Sequence, residues 1–235
     1  MNTLAVPLTI DQLEAAGHLY AQLKQWHVSE ATLDSLAEKF PGFSDETALL
    51  KVVAVNGLYG TNVMALFRMA AHVKEVIVKT NVLIAGPELV EQIALLRNPN
   101  GGTVKRHHSF ASKFAHFFVD SERFPIMDSY AVSMVRLHLG TENWRQDAEK
   151  PYIAFVENLK TLRTLAGLNA TNRELDRYLW IAGAYRTYRK RRDAQRESQI
   201  NVELDRLFTN PSENIRADLD ALMPSILSEA LRGEL

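Results

Sequence analysis

The chain has 235 residues, 46% of them hydrophobic and 23% charged, with a formal net charge of −1. These are the proportions of a globular protein with one large domain or two packed lobes, and a core of that size needs no disulfide or metal to hold it. The absence of cysteine excludes disulfides, thiolate zinc sites, thiol nucleophiles and a cysteine-held iron–sulfur cluster, and fits a reducing compartment. No apolar run reaches membrane-span length and Met1 to Gln12 shows no signal-peptide pattern, so the expected location is the cytoplasm.

Helical periodicity dominates. Thr9 and Gln12 form a capping-box pattern for a helix to about Trp26, with Leu13, Ala16, Tyr20 and Leu23 as its apolar stripe. A short helix is predicted over Ala31 to Phe40, ending at Pro41-Gly42. Ser44 caps the next, which carries Asp45 and Glu46 in its first turn and meets a break at Asn56-Gly57-Leu58-Tyr59-Gly60-Thr61. A helix resumes from Asn62 to His72. The β-branched run between Glu75 and Leu83 reads as helix or extended connector, since no partner strand is evident. Gly86-Pro87 opens a helix through Leu96, and Asn98-Pro99-Asn100-Gly101-Gly102 is the strongest turn signal. Further helices are expected over Ser109 to Val119, Ser129 to Leu139, Pro151 to Leu165, Asn172 (as cap) to about Arg196, and Ile215 to Leu231. The fold class is therefore all-α, roughly ten helices in two packed lobes with a cleft between them. Residues 1–200 are expected to hold the main domain and 201–235 a helical extension.

The segment from Val104 to Phe118, followed by Phe124-Pro125-Ile126-Met127-Asp128-Ser129-Tyr130-Ala131-Val132, concentrates the chemistry. On a helical wheel Phe110, Phe114, Phe117 and Phe118 join Ala111 and Ala115 in a core face, while Ser112, His116 and Asp120 lie opposite. Lys113 falls at the boundary. A lysine there either snorkels to water or holds a partly desolvated amine at the floor of a cleft, able to attack a sugar carbon. Asp128 enters the following helix, where a carboxylate serves as an N-cap, as a charge facing a developing sugar cation, or as both.

The Phe124 to Val132 segment resembles the proline-to-aspartate segment of helix-hairpin-helix DNA glycosylases, in which a loop enters a helix through a catalytic aspartate. The Ser112-Lys113 helix is similar to the part of the 8-oxoguanine glycosylase branch that carries a Schiff-base lysine. Lys51 to Val63 resembles the helix–break–helix beside the base pocket, and Leu175 to Gly183 the closing helix of the bacterial branch. The likeness spans about Ser44 to Tyr188. Where the superfamily has a glycine-bracketed turn, this chain has His107-His108-Ser109-Phe110-Ala111.

The resemblance implies a glycosylase that flips out and excises a base, an 8-oxoguanine-like purine, with Lys113 and Asp128 catalytic and with Schiff-base lyase activity as a companion. Lys105, Arg106, His107, His108 and Ser109, at a helix start, are the expected phosphate contacts. Asn56, Tyr59, Thr61 and Trp180 are the expected base pocket. As bland alternatives, Asn56-Gly57 is a simple turn, Trp180 is core and the Lys105–His108 run is a solvated loop. Adjacent histidines point apart on a helix, and no carboxylate is spaced to complete a metal site. No cofactor is implied, DNA is the partner, and a monomer suffices. The run from Tyr185 to Arg192 is a second basic cluster, read first as a solvated face and second as a DNA contact. The competing reading of the whole chain is a non-catalytic helical module that binds DNA or protein.

Overall fold

The computed structural model describes residues 3–97, 105–193 and 202–222. Among them the fold is all-α, with eleven helices: α1 (Ile10–Ala21), α2 (Lys24–Lys39), α3 (Asp45–Tyr59), α4 (Leu66–Lys79), α5 (Glu88–Ala94), α6 (His108–Phe118), α7 (Ser129–Asn143), α8 (Pro151–Ala166), α9 (Asn172–Asp193), α10 (Val202–Thr209) and α11 (Glu213–Leu222). A two-residue antiparallel ladder, β1 (Leu95–Leu96) with β2 (Lys105–Arg106), is the one extended pairing among the described residues. No helix among them is long and apolar enough to cross a membrane.

The chain divides into two compact units: Met1–His27, Ser129–Arg145 and Glu157–Leu235 form the first, Val28–Asp128 and Gln146–Val156 the second. The boundaries fall inside α2 and α8. In the first unit α1 packs on α9 and α11, and α9 also receives α7 and α10. Its core holds Leu13, Leu19 and Tyr20 with Met134, Val135, Tyr178, Ala182 and Phe208. The described residues beyond 201 fall in this unit. In the second unit α3 packs on α4 and α6, and α5 on α4 and α6, around Val52, Val55, Met69, Val73, Ile93, Phe110 and Phe114.

Several boundaries differ from expectation for local reasons. The Thr9 N–H donates to Gln12 Oε1 at 2.9 Å in the expected capping box, but α1 stops at Ala21. Gln22 and Leu23 close a turn onto the Leu19 and Tyr20 carbonyls, and α2 starts at once from Leu23. The break after α3 sits at Gly60 and Asn62, both at φ +56°, not at Asn56-Gly57. The β-branched run is helical as far as Lys79, with Val73 and Ile77 turned inward at the helical spacing and Val78 outward, while Val82 and Leu83 lie in the turn that follows. Leu95 and Leu96 leave the helix to pair with Arg106 and Lys105. Thr171, not Asn172, caps α9: its Oγ1 accepts from the Glu174 N–H at 3.2 Å while its own N–H donates to Glu174 at 2.8 Å. The Asn98–Gly102 turn and the expected helix beyond 222 lie outside the described residues.

Candidate active site

Helix α6 is the platform. Phe110, Ala111, Phe114, Ala115 and Phe117 are buried on the expected face, each phenylalanine contributing about 1.5–3 kcal/mol by leaving water. The opposite face does not meet water. Ser112 and His116 are also buried, because the chain after α6 folds back along them. Asp120 starts that return: its carboxylate accepts the backbone N–H groups of Glu122 and Arg123 and the Arg123 side chain at 2.9, 3.0 and 2.8 Å. Burial raises the Asp120 carboxyl, but these three donors outweigh it and leave it below the usual carboxylate range.

The returning segment 124–128 is pinned at nearly every residue. The His116 Nδ1–H donates to the Phe124 carbonyl at 3.0 Å, and the Tyr152 hydroxyl to the Pro125 carbonyl at 2.9 Å. Ser112 Oγ accepts the Met127 N–H at 3.0 Å and lies 3.3 Å from the Met127 carbonyl. Burial, with the Glu91 charge adding to it, pushes the Tyr152 phenol well above its ordinary value, so it stays a neutral donor. Glu91 holds this helix start as well, one oxygen accepting the Tyr152 and Ile153 N–H groups at 2.7 and 3.2 Å and the other meeting His108 Nε2 at 2.8 Å.

The last anchor is Asp128 itself. Its Oδ2 lies 3.3 Å from Lys113 Nζ, whose side chain is 6% exposed against 17% for the aspartate. The ammonium also donates to Ser109 Oγ at 3.1 Å and stands 5.7 Å from the centre of the Tyr59 ring. A distance of 3.3 Å is long for a charge-assisted bond, which prefers about 2.7–2.9 Å. The pair is held by its surroundings more than by its own attraction. An amine beside a carboxylate on a braced segment is an arrangement suited to nucleophilic or acid–base chemistry.

The structure therefore gathers Lys113, Asp128, Ser109 and Tyr59. It disperses the rest. The Arg106 guanidinium donates to the Ala148 and Glu149 carbonyls at 2.9 and 2.7 Å, stitching the loop before α8, and His108 is held by Glu91. The expected phosphate contacts Arg106 and His108 are thus engaged within the second unit. The His107 N–H donates to the Ala94 carbonyl at 2.9 Å, and the Lys105 side chain lies outside the described residues. Asn56 Oδ1 accepts Thr61 Oγ1–H and the Val63 N–H at 2.9 and 2.8 Å, tying the turn after α3 and leaving its amide nitrogen for any further contact. Trp180 is in the first unit, packed on Trp26 and Tyr20 with ring centres 4.4 and 6.4 Å apart.

Residues that the sequence reading passed over complete the site: Ser112, His116, Tyr152 and Glu91. A signal existed in two of them. Ser112 and His116 are polar at i, i+4 in a helix otherwise made of Phe and Ala, a pattern that fits burial against a hydrogen-bonding chain as well as exposure to water. A further buried cation, Lys51 on α3, is 2% exposed and donates to the Gly42 carbonyl at 2.8 Å, with the Phe43 and Phe118 rings 4.2 and 5.1 Å away. Burial lowers its pKa.

No curated protein and no solved structure matches the chain. Residues 12–122, which include Lys113 and end before Asp128, match the model of a family described as an N-terminal domain, HI_0787_N.

Proposed function

We propose that the protein is a cytoplasmic DNA glycosylase that flips out a damaged or modified purine of the 8-oxoguanine kind and releases it through a Schiff base on Lys113. The observation that carries this reading is the Lys113–Asp128 pair: the two residues singled out by the resemblance meet at 3.3 Å in a braced, nearly buried setting. Lys113 gives a proton to Asp128, and its nitrogen lone pair bonds to C1′ of the flipped nucleotide. The bond from C1′ to the base breaks, its electrons leave with the base, and the base collects the proton that Asp128 took. Opening of the sugar ring then gives the imine. Loss of a C2′ proton, with departure of the 3′ phosphate, is the accompanying lyase step. Asp128, ionised again, stabilises the positive charge on the sugar. No cofactor enters, and a single chain suffices.

The second reading, a helical binding module without catalysis, is favoured by one observation. Lys113 already has a hydrogen-bond acceptor, a counter-charge and an aromatic face, which is also what a structural lysine requires. Borohydride trapping on a panel of lesion-bearing oligonucleotides separates the two. The wild-type protein becomes covalently attached to one of them, and Lys113→Gln binds the same DNA without attachment. If wild type traps nothing and both proteins bind alike, the binding-module reading replaces this one.

A further inference from the structure

The first unit contains a groove of about 900 Å³ that neither Lys113 nor Asp128 lines. Its floor is α7, its wall the 3–6 segment, and its rim Arg186 of α9. Two glycines build it. Gly140 breaks α7 at φ +65°, and a Cβ there would fall 2.7 Å from the Ala5 Cβ, so the wall lies directly against the break. The wall is tied in place by Ala5 N–H to the His138 carbonyl at 2.8 Å and by the Asn143 amide to the Thr3 carbonyl at 3.0 Å. Gly183 of α9 passes so close to Tyr130 of α7 that a Cβ would meet the tyrosine Cβ at 2.7 Å. That close crossing brings the Arg186 guanidinium to Ser133 Oγ at 3.2 Å.

The lining mixes apolar side chains with polar ones and carries two arginines, Arg136 and Arg186. Ser129, Ser133 and the exposed Arg136 follow one another at helical spacing on α7 and face Arg186 across the groove, while Glu142 is the one carboxylate among the described lining residues. Arg189 and Lys190 continue the Arg186 side of α9 by one turn. Two guanidiniums with hydroxyls between them suit the oxygens of phosphate groups, and a volume near 900 Å³ exceeds what a single phosphate needs. Meanwhile Arg106, expected from sequence to bind phosphate, is occupied by carbonyls of its own unit.

We infer that this groove binds the phosphodiester backbone of nucleic acid through Arg136 and Arg186, an inference that takes its partner from the DNA reading above. The test uses the full chain and follows the anisotropy of a fluorescein-labelled duplex and its single strand across a series of potassium chloride concentrations. Arg136→Gln with Arg186→Gln is expected to weaken binding roughly tenfold or more and to make the salt slope shallower by about two. Arg186 also contacts Ser133, so Arg136→Gln alone is measured beside it. Arg136→Lys is expected to restore most of the salt slope, because charge rather than packing carries the contact.

Binding unchanged by the arginine substitutions overturns the inference, as does a wild-type protein that binds no DNA. Displacement of the DNA by low concentrations of inorganic phosphate also overturns it, by identifying a site for a free anion. The two proposals fail separately. Arginine-dependent binding without any trapping keeps the groove and removes the glycosylase, whereas trapping with arginine-independent binding does the reverse.

Discussion

Helix α6 carries one buried lysine and ends beside another, and the two are accommodated differently. At its C-terminal end, Phe118 faces Lys51, whose ammonium has a carbonyl and two aromatic rings but, among the described residues, no carboxylate, and whose pKa burial lowers. At its midpoint, Lys113 has Ser109, the Tyr59 ring and a carboxylate. Taking an ammonium out of water is expensive, and a neighbouring carboxylate offsets that only where geometry is good. Lys51 is accommodated by weak acceptors and polarisable rings, an arrangement that closes over the cation. Lys113 depends on a residue from another segment, and that segment has four further anchors. Burial is common to both lysines; what sets Lys113 apart is a carboxylate held 3.3 Å away on a braced segment.

The sharpest test exchanges the two lysines' roles. If Lys113 is the nucleophile we propose, Lys113→Gln is expected to abolish borohydride trapping and Lys51→Gln to leave it intact in protein that remains folded; loss of trapping in the Lys51 variant alone would reverse the assignment. The next effect is on stability. Asp128→Ala leaves Lys113 without a counter-charge and is expected to destabilise by about 3–5 kcal/mol in denaturant titration. Lys51→Met replaces a lone buried cation with an apolar chain of similar length and is expected to fall within about 1.5 kcal/mol of wild type. Equal losses in the two variants would erase the distinction.

A third buried base, His138 in the first unit, extends the comparison to a group that stays neutral. Its Nδ1–H donates to the Val6 carbonyl at 2.9 Å, its Nε2 accepts from the Tyr178 hydroxyl at 2.8 Å, and burial lowers its pKa from 6.5 to about 4. The unfolded chain takes up this proton first. Stability is therefore complete above pH 6.5 and falls as pH drops toward about 4, by on the order of 3 kcal/mol. His138→Gln flattens that slope in urea titrations at a series of pH values. Lys51 has the same sign in an alkaline window, since its lowered pKa makes stability rise as pH approaches 10.5. The smallest expected effects are those of the braces: Tyr152→Phe and Ser112→Ala each lose about 1 kcal/mol and slow trapping without abolishing it, as the Asp128 segment loosens.

What the sequence made legible follows from how local each signal is. The Thr9–Gln12 box, the Pro151 start of α8 and the span of α6 depend on neighbouring residues, and they stand where expected. Lys113 and Asp128 came together because a resemblance linked them across fifteen positions, not because periodicity did. The Gln22–Leu23 break was invisible, since neither glycine nor proline marks it and Leu23 continues the apolar stripe into the core. Asn56-Gly57 looked like a turn, yet Val52 and Val55 keep α3 against the core and the Asn56 side chain organises the real turn downstream. The roles of Ser112 and His116, placed opposite the core face, and of Arg106, expected at a phosphate, were not legible because their partners, the carbonyls of Met127, Phe124, Ala148 and Glu149, carry no mark in a sequence.

The way the first unit is cut along the chain has a consequence for synthesis. Val28–Asp128 is nearly contiguous and needs only Gln146–Val156 to finish, so the second unit can consolidate while the ribosome is still translating. Helix α1 packs on α9 and α11, whose residues emerge roughly 150 or more positions later, and pairings of such long sequence separation form slowly. Until then its stripe of Leu13, Leu19 and Tyr20, buried in the finished unit, waits uncovered on the nascent chain. Expression that outruns chaperone supply should therefore yield protein whose second unit is protected from protease while α1 is cut.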